Sequence, residues 1–168
     1  YNFLDLPIGY KITPYRDIYF EELAVAIYNA FKGSSDVNFD LRFASVDGCR
    51  DITHKITTSI YGRFLPQASK ILLYENKLVG FCLANVTGDG IANLPLIGIV
   101  EQHRKQKLSI PLVKASILDI VKLNQSGIIV LNELNASLDL NLKSAVRMYE
   151  EVGFTQSYKY SQAYLPKG

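Results

Sequence analysis

The sequence predicts an α+β domain in which one mixed, mostly antiparallel sheet carries helices on both faces, an α/β/α layering. Three observations carry this. First, three β-type runs, residues 69–75, 78–87 and 91–100, follow one another across short turns, as in an antiparallel meander. Second, the pattern then changes to helical spacing over 109–123 and to a continuous apolar run, Ile128-Ile-Val-Leu131, the mark of a strand covered on both faces. Third, Ala145-Val-Arg-Met-Tyr-Glu-Glu-Val-Gly-Phe154 puts apolar residues at i, i+3, i+4 and i+7, with Gly153 where a left-handed helix cap belongs and Phe154 just beyond it.

The remaining elements follow in order. Residues 10–14 read as a first strand. Asp17 is placed to cap the next helix, which Phe20, Leu23, Ile27 and Phe31 line on one side and the stretch 33–36 ends. A second helix is expected over 51–61, with Ile52, Ile56 and Ile60 spaced by four, although its threonines weaken it. Asn76-Lys77 is the expected hairpin turn and Gly88-Asp-Gly90 the next. In the helix over 109–123, Val113, Ile117, Ile120 and Val121 face inward, and a last strand is expected near 155–164.

Bulk properties exclude several classes. The chain has 168 residues, a length that favours one domain spanning 1–168, and 48% of them are apolar, enough for a core. A net charge of +2 creates no field that draws nucleic acid or an anionic membrane. No apolar run reaches the ~18 residues that span a bilayer. The start, Tyr1-Asn-Phe-Leu-Asp5, lacks the pattern of a secretory signal, and its missing Met suggests trimming or an incomplete chain. Cys49 and Cys82 have no metal-type spacing and fit a reducing cytosol as small packed groups. A cytoplasmic protein without a metal is expected.

The closing segment resembles the last helix of the GCN5-related N-acetyltransferase (GNAT) family, usually A-x-x-L-Y-E-K-L-G-F, and the element order over roughly 10–164 is similar to that family's. The resemblance implies the family's acyl-CoA N-acyltransferase fold with splayed central strands. The strand over 91–100 would part from the one over 128–131, and the gap would admit the pantetheine arm of acetyl-CoA. Its amides would pair with the backbone of Ile97, Gly98 and Ile99. Gly98 would let the ligand come close.

The family signature [Q/R]-x-x-G-x-[G/A] aligns with Arg104-Lys105-Gln106-Lys107-Leu108-Ser109. Its logic is anion binding: unpaired N–H groups and partial positive charge at a helix N-terminus suit a pyrophosphate. Arg104 matches, Ser109 stands in for the small residue, and Lys107 replaces the first glycine. A β-carbon there crowds the phosphate or strains the backbone. Pro111 removes one N–H from the first turn, where proline is tolerated. Lys107 has two readings. Its side chain folds over the anion, or Arg104, Lys105 and Lys107 are a solvated charge run.

The resemblance also implies a chemistry. A backbone N–H near Ile99 polarises the thioester carbonyl. Tyr149 protonates the departing thiolate, a phenol of reference pKa ~10 being a sound donor. Its other reading is a core tyrosine on an apolar helix face. Where the family often has an asparagine near the pantetheine this chain has Leu142; Asn141 beside it is the substitute, or a capping or surface residue. The general base is unassigned: Glu75 and Glu101 read as exposed strand-end charges, and His54 and His103 as surface or packing residues. The acceptor is a primary amine of a small molecule or peptide, bounded by residues 18–64 with aromatics Tyr28, Phe31, Phe39, Phe43, Tyr61 and Phe64. A homodimer is compatible with the resemblance. The alternative is a degenerate, non-catalytic domain that binds acyl-CoA or a protein partner.

Overall fold

The computed structural model describes residues 6–136. In chain order these form β1 (Tyr10–Pro14), α1 (Phe20–Phe31), α2 (Asp36–Phe39), α3 (Val46–Thr57), β2 (Arg63–Phe64), β3 (Lys70–Tyr74) and β4 (Lys77–Cys82). Then come β5 (Asn85–Val86), β6 (Ile91–Leu94), β7 (Ile97–Ile99), α4 (Ser109–Gln125) and β8 (Glu133–Ala136). The strands make two four-stranded sheets, ordered β1-β3-β4-β7 and β2-β5-β6-β8. Every pairing is antiparallel except β6 with β8. The Leu65 N–H donates to the Ala84 carbonyl and the Leu83 N–H to that of Leu96, which stitches the two sheets together.

Helices cover both faces, as the sequence predicts. Lys70 and Ile71 are neighbours on β3 and so point to opposite sides. Ile71 is paired with Phe81, whose ring meets Phe31 of α1 at 6.2 Å. On the other side the buried Lys70 ammonium meets the Asp119 carboxylate of α4. Leu23 and Ile27 of α1 and Val113, Ile117 and Ile120 of α4 are fully buried, as their spacing requires.

Four expectations need correction. Asp17 does not cap α1; it opens a 3-10 turn, Asp17–Tyr19, and neither that turn nor the helix has a side-chain cap. The second helix starts earlier, at Val46, because the Ser45 hydroxyl accepts the Gly48 N–H at 2.9 Å as an N-cap. It ends at Thr57, so Ile52 and Ile56 are buried but Ile60 is 64% exposed. The hairpin turn is Glu75-Asn76, with φ of 48° and 67°, the two left-handed residues that a twisted two-residue turn requires.

The fourth concerns the run over 128–131, which is not a strand. Helix α4 ends in a Schellman cap: Gly127 takes φ 79°, its N–H reaches the Asn124 carbonyl, and the Ile128 N–H reaches Leu123. Leu131 N–H then donates to the Asn124 side chain at 2.9 Å. The apolar run thus trails from a helix cap, and pairing begins only at Glu133.

The long strands of the expected meander are also interrupted. The partner of Asn85 is Asn93, yet Leu83, two residues earlier, meets Leu96. The β6–β7 strand therefore holds one residue more than its partner, a bulge that falls at Pro95, where no N–H exists to continue the ladder. The closing helix over 145–154 and the last strand over 155–164 lie outside the described residues.

Candidate active site

The bulge divides one strand between two partnerships. Before it, β6 pairs with β8 from Ile91↔Glu133 to Leu94↔Ala136. After it, β7 pairs with β4. Among the described residues no strand pairs with the other edge of β7. The strand is thus joined to β8 before the bulge, and after it the outer edge of β7 has no partner strand among the described residues.

The antiparallel register fixes which groups that edge offers. Leu96 and Val100 bond toward β4, through Leu83 and Val79. Alternation then turns Gly98 toward Phe81 and turns the N–H and C=O of Ile97 and Ile99 outward. Gly98 has a packing reason of its own. A β-carbon there would stand 2.6 Å from the Phe81 ring and 3.2 Å from the Ala30 β-carbon, so α1 and β4 occupy the space a side chain would need.

Beyond β7 a 3-10 turn, Glu101–His103, leads to the loop 104–108 and then to α4. The Arg104 Nε–H donates to the Ile99 carbonyl at 2.9 Å, and a terminal nitrogen reaches the Ala30 carbonyl near the end of α1. That leaves the Ile99 N–H and both Ile97 groups as the outward hydrogen-bonding positions. Lys105 and Lys107 take φ of 69° and 57°, the left-handed region that glycine adopts without cost. Gln106 donates to the Tyr10 hydroxyl at 3.0 Å, and Leu108 is buried. The loop is therefore braced at Arg104, Gln106 and Leu108, while both lysines stand exposed.

Helix α4 starts at Ser109 with no side-chain cap and no acidic residue in its first turn. The Leu112 N–H already closes onto the Leu108 carbonyl and Pro111 has none, which leaves the Ser109 and Ile110 N–H groups at the terminus. Such uncapped N–H groups at a helix start are donors of the kind that oxyanions accept from.

Residues around the loop have structural tasks. His103 Nδ1 lies 2.6 Å from the Tyr10 hydroxyl, and its ring stacks 5.0 Å from Tyr74, so it packs as expected. Tyr10 and Tyr74, which brace the loop from β1 and β3, were not among the expected site residues. Only the sheet register brings them together. Glu75 is a turn residue, and Glu101 and His54 are exposed. On the helix α1 side, Phe31 and Phe43 stack at 4.7 Å within the core, whereas Phe39 and Leu41 are 84% and 78% exposed. Burial pushes the Cys49 thiol up to about 11 and that of Cys82 up to about 12, which keeps both protonated and unreactive. Among the described residues no cluster could hold a metal ion. Tyr149 and Asn141 lie outside the described residues.

No established family profile matches the sequence, and no curated protein does. Solved structures do. A GNAT family acetyltransferase from Brucella melitensis in complex with acetyl-CoA superposes with a TM-score of 0.57 at 13% identity, over 88% of this chain and 83% of that one. The aminoglycoside N-acetyltransferase AAC(6')-Iy in complex with CoA gives 0.54 at 13% identity, over 91% and 93%. A ribosomal-protein alanine N-acetyltransferase from Escherichia coli gives 0.51 at 16% identity, over 88% and 79%. The chain has the GCN5-related N-acetyltransferase fold. No helix among the described residues is long and apolar enough to cross a membrane.

Proposed function

We propose that the protein transfers an acetyl group from acetyl-CoA to a primary amine. The observation that carries this reading is the outer edge of β7, which no described strand pairs with, leading directly into a left-handed loop at an uncapped helix N-terminus. An extended carrier with amides at one end and a pyrophosphate at the other matches that sequence of groups. The pantetheine amides pair with the outward groups of Ile97. The pyrophosphate lies on the N–H groups of residues 105–110, with the exposed Lys105 and Lys107 neutralising its charge.

The amine nitrogen attacks the thioester carbon, and the oxygen gains negative charge that the Ile99 N–H stabilises. As the tetrahedral species collapses, the C–S bond breaks and the thiolate takes a proton from the Tyr149 phenol. The proton lost by the amine passes to water, and water returns a proton to the Tyr149 phenolate. Asn141 is assigned to the pantetheine. GNAT-fold neighbours named for aminoglycosides and for a ribosomal-protein alanine agree with either a small-molecule or a peptide amine as acceptor. The buried free thiols suit a cytosolic setting.

A second reading has one observation in its favour. Arg104 is turned onto two backbone carbonyls, and a side chain stands where the signature has glycine. A degenerate, non-catalytic domain would tolerate both.

Thermal unfolding with and without coenzyme A separates the two. A ligand that binds only the folded state at a hundred times its Kd adds about 2.7 kcal/mol, or roughly 5–10 °C for a domain of this size. No rise at millimolar coenzyme A sinks the enzyme reading. Given a rise, Tyr149→Phe should lower kcat by about a hundredfold or more while leaving that rise in place.

A further inference from the structure

Three asparagines stand side by side across three strands of the second sheet. Asn85 of β5 pairs with Asn93 of β6, which pairs with Asn135 of β8. Residues paired across strands share a face, so the three carboxamides form one row. The Asn93 Nδ2 donates to the Asn85 Oδ1 at 3.2 Å and to the Ile91 carbonyl at 3.2 Å, and Asn85 is buried. The row does not close on itself. The Asn135 Oδ1 is buried and accepts no hydrogen bond. A buried carbonyl without a donor needs an explanation, and an N–H carried by a ligand supplies one.

Its position says which ligand. Asn135 lies one residue before Ala136, the last described pairing of β8, and Asn93 lies two residues before the Pro95 bulge. On the acetyl-transfer reading the row therefore sits beside the bulge, where the thioester end of the carrier would stop. It belongs to the face covered by α1. Phe64 extends the row beside Asn85, and its ring meets Tyr15 at 5.4 Å. Tyr15 alternates with Pro14, the partner of Lys70, and so faces away from α4. Glu133 lies on the same face of β8, two residues or roughly 6.6 Å from Asn135, and its carboxylate makes no hydrogen bond or ion pair with a described residue.

We propose that this row is the floor of the acceptor site: a cationic primary amine is drawn in by the Glu133 carboxylate and donates an N–H to the Asn135 Oδ1. The proposal rests on the acetyl-transfer reading above. Once the ammonium has given one proton to water, the Asn135 contact holds the neutral nitrogen with one N–H turned down onto the row and its lone pair free for the carbonyl carbon. The Glu133 carboxylate contributes attraction for the charged acceptor as it approaches.

The test begins with the coenzyme A thermal shift of the unaltered protein, whose absence sinks the acetyl-transfer reading itself. Thiol release from acetyl-CoA is then followed with spermidine, an alanine-terminated peptide and an aminoglycoside. Asn135→Ala should keep the coenzyme A shift and the KM for acetyl-CoA, and raise the KM for the amine about tenfold. Asn135→Asp, which keeps an acceptor oxygen, should restore most of that loss, and Glu133→Gln should raise the amine KM with kcat little changed. If Asn135→Ala fails to fold, Asn135→Thr removes the carbonyl with a residue that suits a strand. An unchanged amine KM in the Ala or Thr variant overturns the proposal. So does loss of the coenzyme A shift in those variants, or coenzyme A stabilisation with no amine-dependent thiol release from any of the three acceptors.

Discussion

Arg104 and Ile99 are joined by a hydrogen bond of 2.9 Å from Nε to the backbone carbonyl, and the same guanidinium reaches Ala30 at the end of α1. One side chain thus ties β7 to a helix on the sheet's face. Arg104→Ala should lower stability by about 1–2 kcal/mol, since two charge-assisted bonds at a partly open site are lost. Arg104→Lys should recover little, because an ammonium lacks the fork that reaches both carbonyls. Thermal unfolding checks both. Equal melting temperatures for Arg and Ala would mean that the strap contributes nothing.

Lys107 holds a backbone conformation that costs an L-residue about 1–2 kcal/mol, at φ 57°. Glycine removes that cost but gives back part of it as unfolded-chain entropy. Lys107→Gly should therefore raise the melting temperature by roughly 1–3 °C. Its effect on coenzyme A separates the two readings of the side chain. Tighter binding means the lysine obstructs the phosphates, and weaker binding means its charge holds them.

Gly98→Ala puts a β-carbon 2.6 Å from the Phe81 ring. Phe81 is fully buried and stacked on Phe31, so it has little room to yield. A loss of about 1–3 kcal/mol is expected from overpacking. A melting temperature within 1 °C of the parent would show that the interface between α1 and β7 is looser than the distances indicate.

Tyr15 governs part of the alkaline limit. Burial, with the nearby Asp17 carboxylate adding to it, pushes its phenol up to about 12. The neutral form is favoured by folding, so its contribution is complete below the ordinary value near 10 and disappears as pH rises from 10 to 12. The Cys49 and Cys82 thiols act in the same direction from about pH 9 upward. Because the Tyr15 hydroxyl is buried and makes no well-formed hydrogen bond among the described residues, Tyr15→Phe should cost little at pH 7 and flatten the decline above pH 10. Urea unfolding at pH 7, 9 and 10.5 measures this, and an unchanged slope would remove Tyr15 from the account.

Much of the architecture could be read from residue spacing, and what escaped has physical causes. Helices α1 and α4 were visible because Leu23 and Ile27, and Val113, Ile117 and Ile120, repeat at helical intervals on a fully buried face. The start of α3 was hidden because its cap, Ser45, is followed three residues later by a glycine. That glycine is required by the close approach of the Arg42 carbonyl, 2.1 Å from where a β-carbon would sit. The run over 128–131 misled because an apolar stretch looks the same whether a sheet or a helix cap consumes it. Ile128 and Val130 prove to be 52% and 75% exposed. A loop before α4 is legible at 104–108, but the bonds its side chains make are not. Arg104 and Gln106 bond to Ile99, Ala30 and Tyr10, which lie up to 96 positions away in the chain. The asparagine row escaped for the same reason, since only the strand register aligns Asn85, Asn93 and Asn135.

The surplus residue at 95 carries a further consequence. Being an imino acid, it has no amide hydrogen to offer the β4–β5 side of the strand, toward which Ile91 and Leu96 bond. The change of register is thus written into the covalent chain, and a polypeptide lacking that one position would be free to run Asn93 and Leu96 in a single register against β5 and β4.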